Sequence, residues 1–96
     1  MARLEQQEID TALAGDLKQW TQDGDSLVRT VEAPSFLEAI DVVRRVAEVA
    51  EEADHHPDID IRYTKIRMAL STHDAGGITA ADMKLAAEIQ AAFTRQ

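Results

Sequence analysis

The chain has 96 residues, 45% hydrophobic and 29% charged, with 10 basic against 18 acidic side chains and a formal charge of -8. One domain over residues 1–96 fits that length, with a core too small to enclose a deep cavity, so a site would be a shallow cleft or a groove completed by a second copy. The acidic balance argues against nucleic acid and anionic membrane surfaces as partners, and the lack of cysteine excludes a disulfide framework and a thiol nucleophile and fits a reducing compartment.

Met1 to Gln7 hold no apolar run, so no signal peptide is expected. No stretch approaches a membrane span, and the expected location is the cytoplasm. Residues 5–14 read as a short helix with Ile9 and Leu13 on one face and Gly15 as its stop. Asp23-Gly24 is a turn signal. It predicts a hairpin of strands over 17–22 and 26–33, the second rich in β-branched residues. Ser35 followed by Glu38 is a capping box. It opens a helix expected to run to about residue 53, before Pro57 disfavours helix at His56. Phe36, Ile40, Val43, Ala47 and Ala50 form one apolar stripe on it.

Ile59, Ile61 and Tyr63 alternate with polar residues, as do Ile66, Met68 and Leu70. The two runs read as a hairpin turning near Thr64. Thr79 with Asp82 resembles a second capping box. The last helix would present Met83, Ala86, Ile89, Ala92 and Phe93 to the core. The predicted fold is therefore α+β, in the order α-β-β-α-β-β-α. It would be a two-layer sandwich, with the helices on the apolar face of a four-stranded antiparallel sheet. The opposite face would carry Arg29, Arg62 and Arg67 in part.

All three histidines fall in two short segments, Asp54-His55-His56-Pro57 and Ser71-Thr72-His73-Asp74. Histidine is the side chain that exchanges protons near neutral pH without special tuning. The entry of one hairpin strand and the exit of the next lie at the same end of a sheet, so the two segments should converge. Glu51, Asp54, Asp58 and Asp74 are carboxylates able to tune imidazoles there. Gly76 and Gly77 give the second loop freedom to shape a wall. Asp82 reads as a helix-start residue. A zinc site is the rival reading, but adjacent histidines diverge and the usual zinc spacings are absent. No phosphate-binding glycine loop or serine nucleophile motif is present. The residues alone give a histidine acid/base site in a small domain.

At these positions the chain resembles pterin-4a-carbinolamine dehydratases. The likeness rests on Glu51, His55-His56-Pro57, Tyr63, Ser71-Thr72-His73 and Asp82, with Asp54 before the pair. Trp20, Leu27-Val28-Arg29-Thr30, Phe36 and Leu85-Ala86 add to it. Animal members have aromatic residues soon after His-His-Pro, where this chain has Ile59 and Asp60. The resemblance implies a four-stranded antiparallel sheet with three helices on one side. It also implies a hydro-lyase that dehydrates 4a-hydroxytetrahydropterin to quinonoid dihydropterin in tetrahydrobiopterin recycling, without metal or cofactor.

On that basis His55, His56 and His73 are the expected catalytic residues, with His55 and His73 moving protons and His56 positioning substrate. Glu51, Asp54, Ser71, Thr72 and Asp74 join the histidines in binding the pterin. Self-association as a dimer or tetramer is also implied. The alternative is a binding or assembly protein on the same fold, since some relatives serve as a chaperone-like factor for the carbon-fixing carboxylase. Those relatives lack the histidines that this chain keeps.

Overall fold

Helix α1 (Gln6–Ala14) leads into strands β1 (Thr21–Asp23) and β2 (Ser26–Glu32), then helix α2 (Phe36–Ala53). Strands β3 (Asp58–Arg62) and β4 (Lys65–Leu70), a tight helical turn (His73–Ala75) and helix α3 (Ala80–Thr94) complete the order. The computed structural model describes residues 2–94; Met1, Arg95 and Gln96, at the ends of the expected 1–96 domain, lie outside the described residues. The strands form one antiparallel sheet, β1-β2-β4-β3. Leu27, Ile66, Met68 and Leu70 of the sheet join Ile9, Ala39, Val46, Leu85, Ala86 and Ile89 of the helices in one core. The expected α+β sandwich is present, with its helices on one face.

Both hairpins turn where the sequence says. Asp23 pairs with Ser26, so Gly24 and Asp25 form the first loop, with Gly24 at φ 59°. Arg62 pairs with Lys65, so Tyr63 and Thr64 form the second. Tyr63 is thus a turn residue at φ 55° and 74% exposed rather than part of a buried strand face. Ile61 is also exposed, because β3 is the edge strand and the helical layer does not reach that far.

Three further expectations are corrected. Residues 17–20 are not strand; Leu17 and Trp20 are both buried, joined by a bond from the Trp20 N–H to the Leu17 carbonyl. A spacing of three puts both side chains on one side of a turn, whereas a strand would send them to opposite faces. The face of α2 that enters the core is Ala39, Val42, Val46 and Ala50, with Val43 packed against it; of the expected stripe Val43 and Ala50 face inward, whereas Phe36, Ile40 and Ala47 are exposed. The two stripes have the same periodicity. The one that is buried leaves Phe36 stacked on Tyr63 at the surface. Arg29, finally, shares the helix-covered face with Met68, its partner across β2 and β4. Its guanidinium lies 4.8 Å over the Phe93 ring, and burial holds its pKa below the usual arginine value. The open face carries short ion pairs instead, Arg62 with Asp60 at 2.9 Å and Arg67 with Asp23 at 3.0 Å.

Candidate active site

Helix α2 ends in a way that aims the first histidine. Asp54 adopts the left-handed conformation, φ 52° and ψ 42°. Its N–H bonds the Glu51 carbonyl at 3.2 Å, and the His55 N–H bonds the Ala50 carbonyl at 3.1 Å. This pair of bonds closes a helix C-terminus and reverses the chain. Aspartate is one of the few residues with a side chain that tolerates this conformation. Asp54 thus acts through its backbone. Its carboxylate takes no part in the two histidine pairs described next.

The imidazole of His55 turns toward the start of α3. Its Nε2 lies 2.5 Å from Asp82 Oδ1. Asp82 is fully buried, and the His55 side chain is 20% exposed. Asp82 Oδ2 accepts the Thr72 hydroxyl and the Thr79 N–H, both at 2.9 Å. Asp82 thus accepts the Thr79 N–H at the start of α3 and also holds a ring from the opposite segment. Three donors surrounding one buried carboxylate satisfy it where water cannot. With Asp82 accepting at Nε2–H, Nδ1 is the ring nitrogen left for chemistry.

His56 faces outward. Its Nε2 is 2.7 Å from Glu51 Oε1, in a pair whose side chains are 56% and 77% exposed. His73 opens the tight helical turn after β4 and is exposed. Among the described residues its ring makes no hydrogen bond, so both nitrogens are free. The turn is fixed by Thr72, whose N–H bonds the Gly77 carbonyl at 2.9 Å, and by Gly76 at φ 71°. Ser71 and Thr72 are half-buried at its base and Asp74 is exposed on it.

The two histidine segments are therefore joined through Asp82: His55 bonds one of its oxygens, and Thr72, the neighbour of His73, bonds the other. Of the expected site residues, His55 and Thr72 bond Asp82, Glu51 bonds His56, and Asp54, His73 and Asp74 are exposed beside them in sequence. Sequence reasoning read Asp82 as a helix-start residue and assigned tuning to Glu51, Asp54, Asp58 and Asp74; of these Glu51 pairs with His56, and the partner of His55 is Asp82. The available signal was its place in the His-His-Pro to Ser-Thr-His pattern, which a helix-start role alone did not require. Among the described residues no three histidine, cysteine or acidic side chains are grouped to hold a metal ion. The arrangement offers one imidazole oriented by a buried carboxylate, one free imidazole on a solvent-facing turn, and a third paired at the rim. That set can give a proton at one atom of a bound molecule and take one at another.

Residues 2–92 match the family model described as pterin 4 alpha carbinolamine dehydratase. A protein of Mycobacteroides abscessus, provisionally named pterin-4-alpha-carbinolamine dehydratase, is 53% identical over 95 residues, covering 99% of this chain and 100% of its own. One of Nocardia farcinica under the same provisional name is 55% identical over 86 residues, covering 90% of each chain. Among solved structures, a transcriptional coactivator/pterin dehydratase of Brucella melitensis superposes with a TM-score of 0.86 at 29% identity, covering 94% of this chain and 97% of that one. A pterin dehydratase-like protein described as a RuBisCO assembly factor of the alpha-carboxysome shares the fold, with a TM-score of 0.61 at 20% identity over 76% of this chain and 84% of its own.

Proposed function

The chain belongs to the pterin 4 alpha carbinolamine dehydratase family, and from that premise we propose that it converts 4a-hydroxytetrahydropterin to quinonoid dihydropterin and water by histidine acid/base catalysis. The observation that carries the proposal is the link from His55 through Asp82 to Thr72, which ties the segment bearing His55 to the turn bearing His73. In the reaction the C4a–O bond breaks as its oxygen takes a proton from one imidazole. A ring nitrogen of the pterin gives its proton to the other, so one water leaves and no redox change occurs.

His55 and His73 are the proton-transfer pair, and His55 works through Nδ1. His56, held by Glu51, positions the substrate at the rim, and the backbone of residues 71–74 lines the pocket that receives the pterin edge. The pterin is the only small molecule the reaction needs, and neither metal nor cofactor enters it. Within a cell the enzyme would act in the cytoplasm, returning the spent pterin of an aromatic hydroxylase toward tetrahydrobiopterin. Self-association to a dimer or tetramer belongs to the same reading. It is supported by exposed Phe36, Leu37, Ile40 and Tyr63, and sedimentation equilibrium tests it.

Stopped-flow dehydration of freshly made 4a-hydroxytetrahydropterin tests the activity. General acid–base catalysis supplies roughly 10²–10⁴-fold, so His55→Ala and His73→Ala should each lose about 100-fold in kcat. Folded variants of both that dehydrate at the normal rate would end the proposal.

A further inference from the structure

The Thr72 hydroxyl is half-buried and fully directed. Asp82 Oδ2 is a carboxylate oxygen, so in the 2.9 Å contact between them Thr72 donates. The Thr72 oxygen also lies 2.7 Å from the Thr79 hydroxyl. With the hydrogen of Thr72 directed to Asp82, the hydrogen of Thr79 must point to Thr72. Thr79 in turn accepts the Ala81 N–H at 3.2 Å. Donation therefore runs one way, from the first turn of α3 through Thr79 and Thr72 into Asp82, and His55 Nε2–H donates to the same carboxylate from the other side. The Thr72 backbone meanwhile holds the second segment. Its N–H bonds the Gly77 carbonyl at 2.9 Å, and its carbonyl accepts from Ala75 at 3.1 Å and Gly76 at 3.0 Å. These bonds define the turn on which His73 sits.

We propose that Thr72 is a positioning residue that couples the two proton-transfer histidines: its hydroxyl fixes the Asp82 carboxylate that orients His55, while its backbone fixes the turn that carries His73. The kinetic part of this inference rests on the dehydratase reading; the coupling itself does not. A substrate contact by the Thr72 side chain is the competing role. It is disfavoured because the single hydroxyl hydrogen already serves Asp82. A change at Thr72 should therefore disturb the alignment of His55 and slow turnover while leaving substrate affinity nearly intact.

The test compares Thr72→Val, which keeps the shape and removes the hydroxyl, with Thr72→Ser, which keeps the hydroxyl. Loss of a hydrogen bond to a charged group is large enough to predict about a tenfold fall in kcat for Thr72→Val, with KM changed less than about twofold. Thr72→Ser should retain at least about a third of the wild-type kcat, because the donor survives. The second readout is independent of catalysis: solvent exchange of the His55 Nε2–H proton, followed by NMR. Exchange should be about tenfold faster in Thr72→Val and near wild type in Thr72→Ser.

A folded Thr72→Val protein with wild-type turnover and exchange overturns the proposal. So does Thr72→Ser behaving as poorly as Thr72→Val, since the methyl group would then matter and not the hydroxyl. Should Thr72→Val fail to fold, Thr72→Ser decides alone: a tenfold loss overturns the coupling, and near-normal turnover and exchange support it. If the wild-type protein does not dehydrate the pterin, the functional reading fails, and the exchange comparison alone judges the coupling.

Discussion

Two histidine–carboxylate pairs stand side by side in this molecule, on adjacent residues, and they are physically unlike. His56 and Glu51 meet in solvent, with side chains 56% and 77% exposed. His55 meets a fully buried Asp82 that is also bonded by Thr72 and Thr79. An exposed pair gains about 0–1 kcal/mol because water screens it and two side chains must be held still. A buried carboxylate with three donors is a structural fixture, because removing any partner leaves polar groups stranded. Nearness in sequence thus says little about the roles of the two histidines. The left-handed turn at Asp54 sends one inward and leaves its neighbour at the rim.

The largest test of that contrast removes the buried partner. Asp82→Ala strands Thr72, the Thr79 N–H and the ring of His55 together, and should lower stability by about 3–5 kcal/mol. Urea unfolding followed by circular dichroism measures it. A loss below 1 kcal/mol would make the two pairs equivalent. A smaller effect is expected at the turn that separates them. Asp54→Val forces a β-branched residue into the left-handed region and should lose about 1–2 kcal/mol, whereas Asp54→Gly should be neutral or gain up to about 1 kcal/mol. Equal midpoints for the two variants would show that the turn does not depend on this backbone conformation.

Glu51→Gln should change stability by less than about 1 kcal/mol, and it sharpens the comparison by isolating the rim pair. A loss as large as that of Asp82→Ala would contradict it. The smallest effect is that of salt. Raising ionic strength shortens the screening length from about 30 Å at 0.01 M to about 3 Å at 1 M. His56 ring resonances should then shift with salt while those of His55 stay fixed, and both shifting together would mean the two pairs share one environment.

The fold was legible because its punctuation is local. Asp23-Gly24, Ser35 with Glu38, Pro57 and Thr79 with Asp82 each mark a boundary by their own stereochemistry, and the structure places boundaries there. The facing of α2 was legible only in part: Val43 and Ala50 face inward as expected, but its apolar surface is wider than the core covers, and periodicity does not say which stripe will be taken. The site was half legible. The histidine segments follow from hairpin topology, but the carboxylate for His55 comes from 27 positions away. Nothing local distinguishes an Asp82 that only caps a helix from one that also reaches across to a ring. Asp54 was misjudged for the reverse reason: its side chain looked chemical, and its backbone does the work.

That distant anchor also sets a time order during synthesis. A nascent polypeptide emerging from the ribosome owns every imidazole by residue 73, yet the group that aims the first of them arrives nine positions later, inside a helix that must itself dock. The alignment of His55 therefore waits for Asp82 and the helix that carries it, and a product released before them would hold the histidines without the means to orient His55.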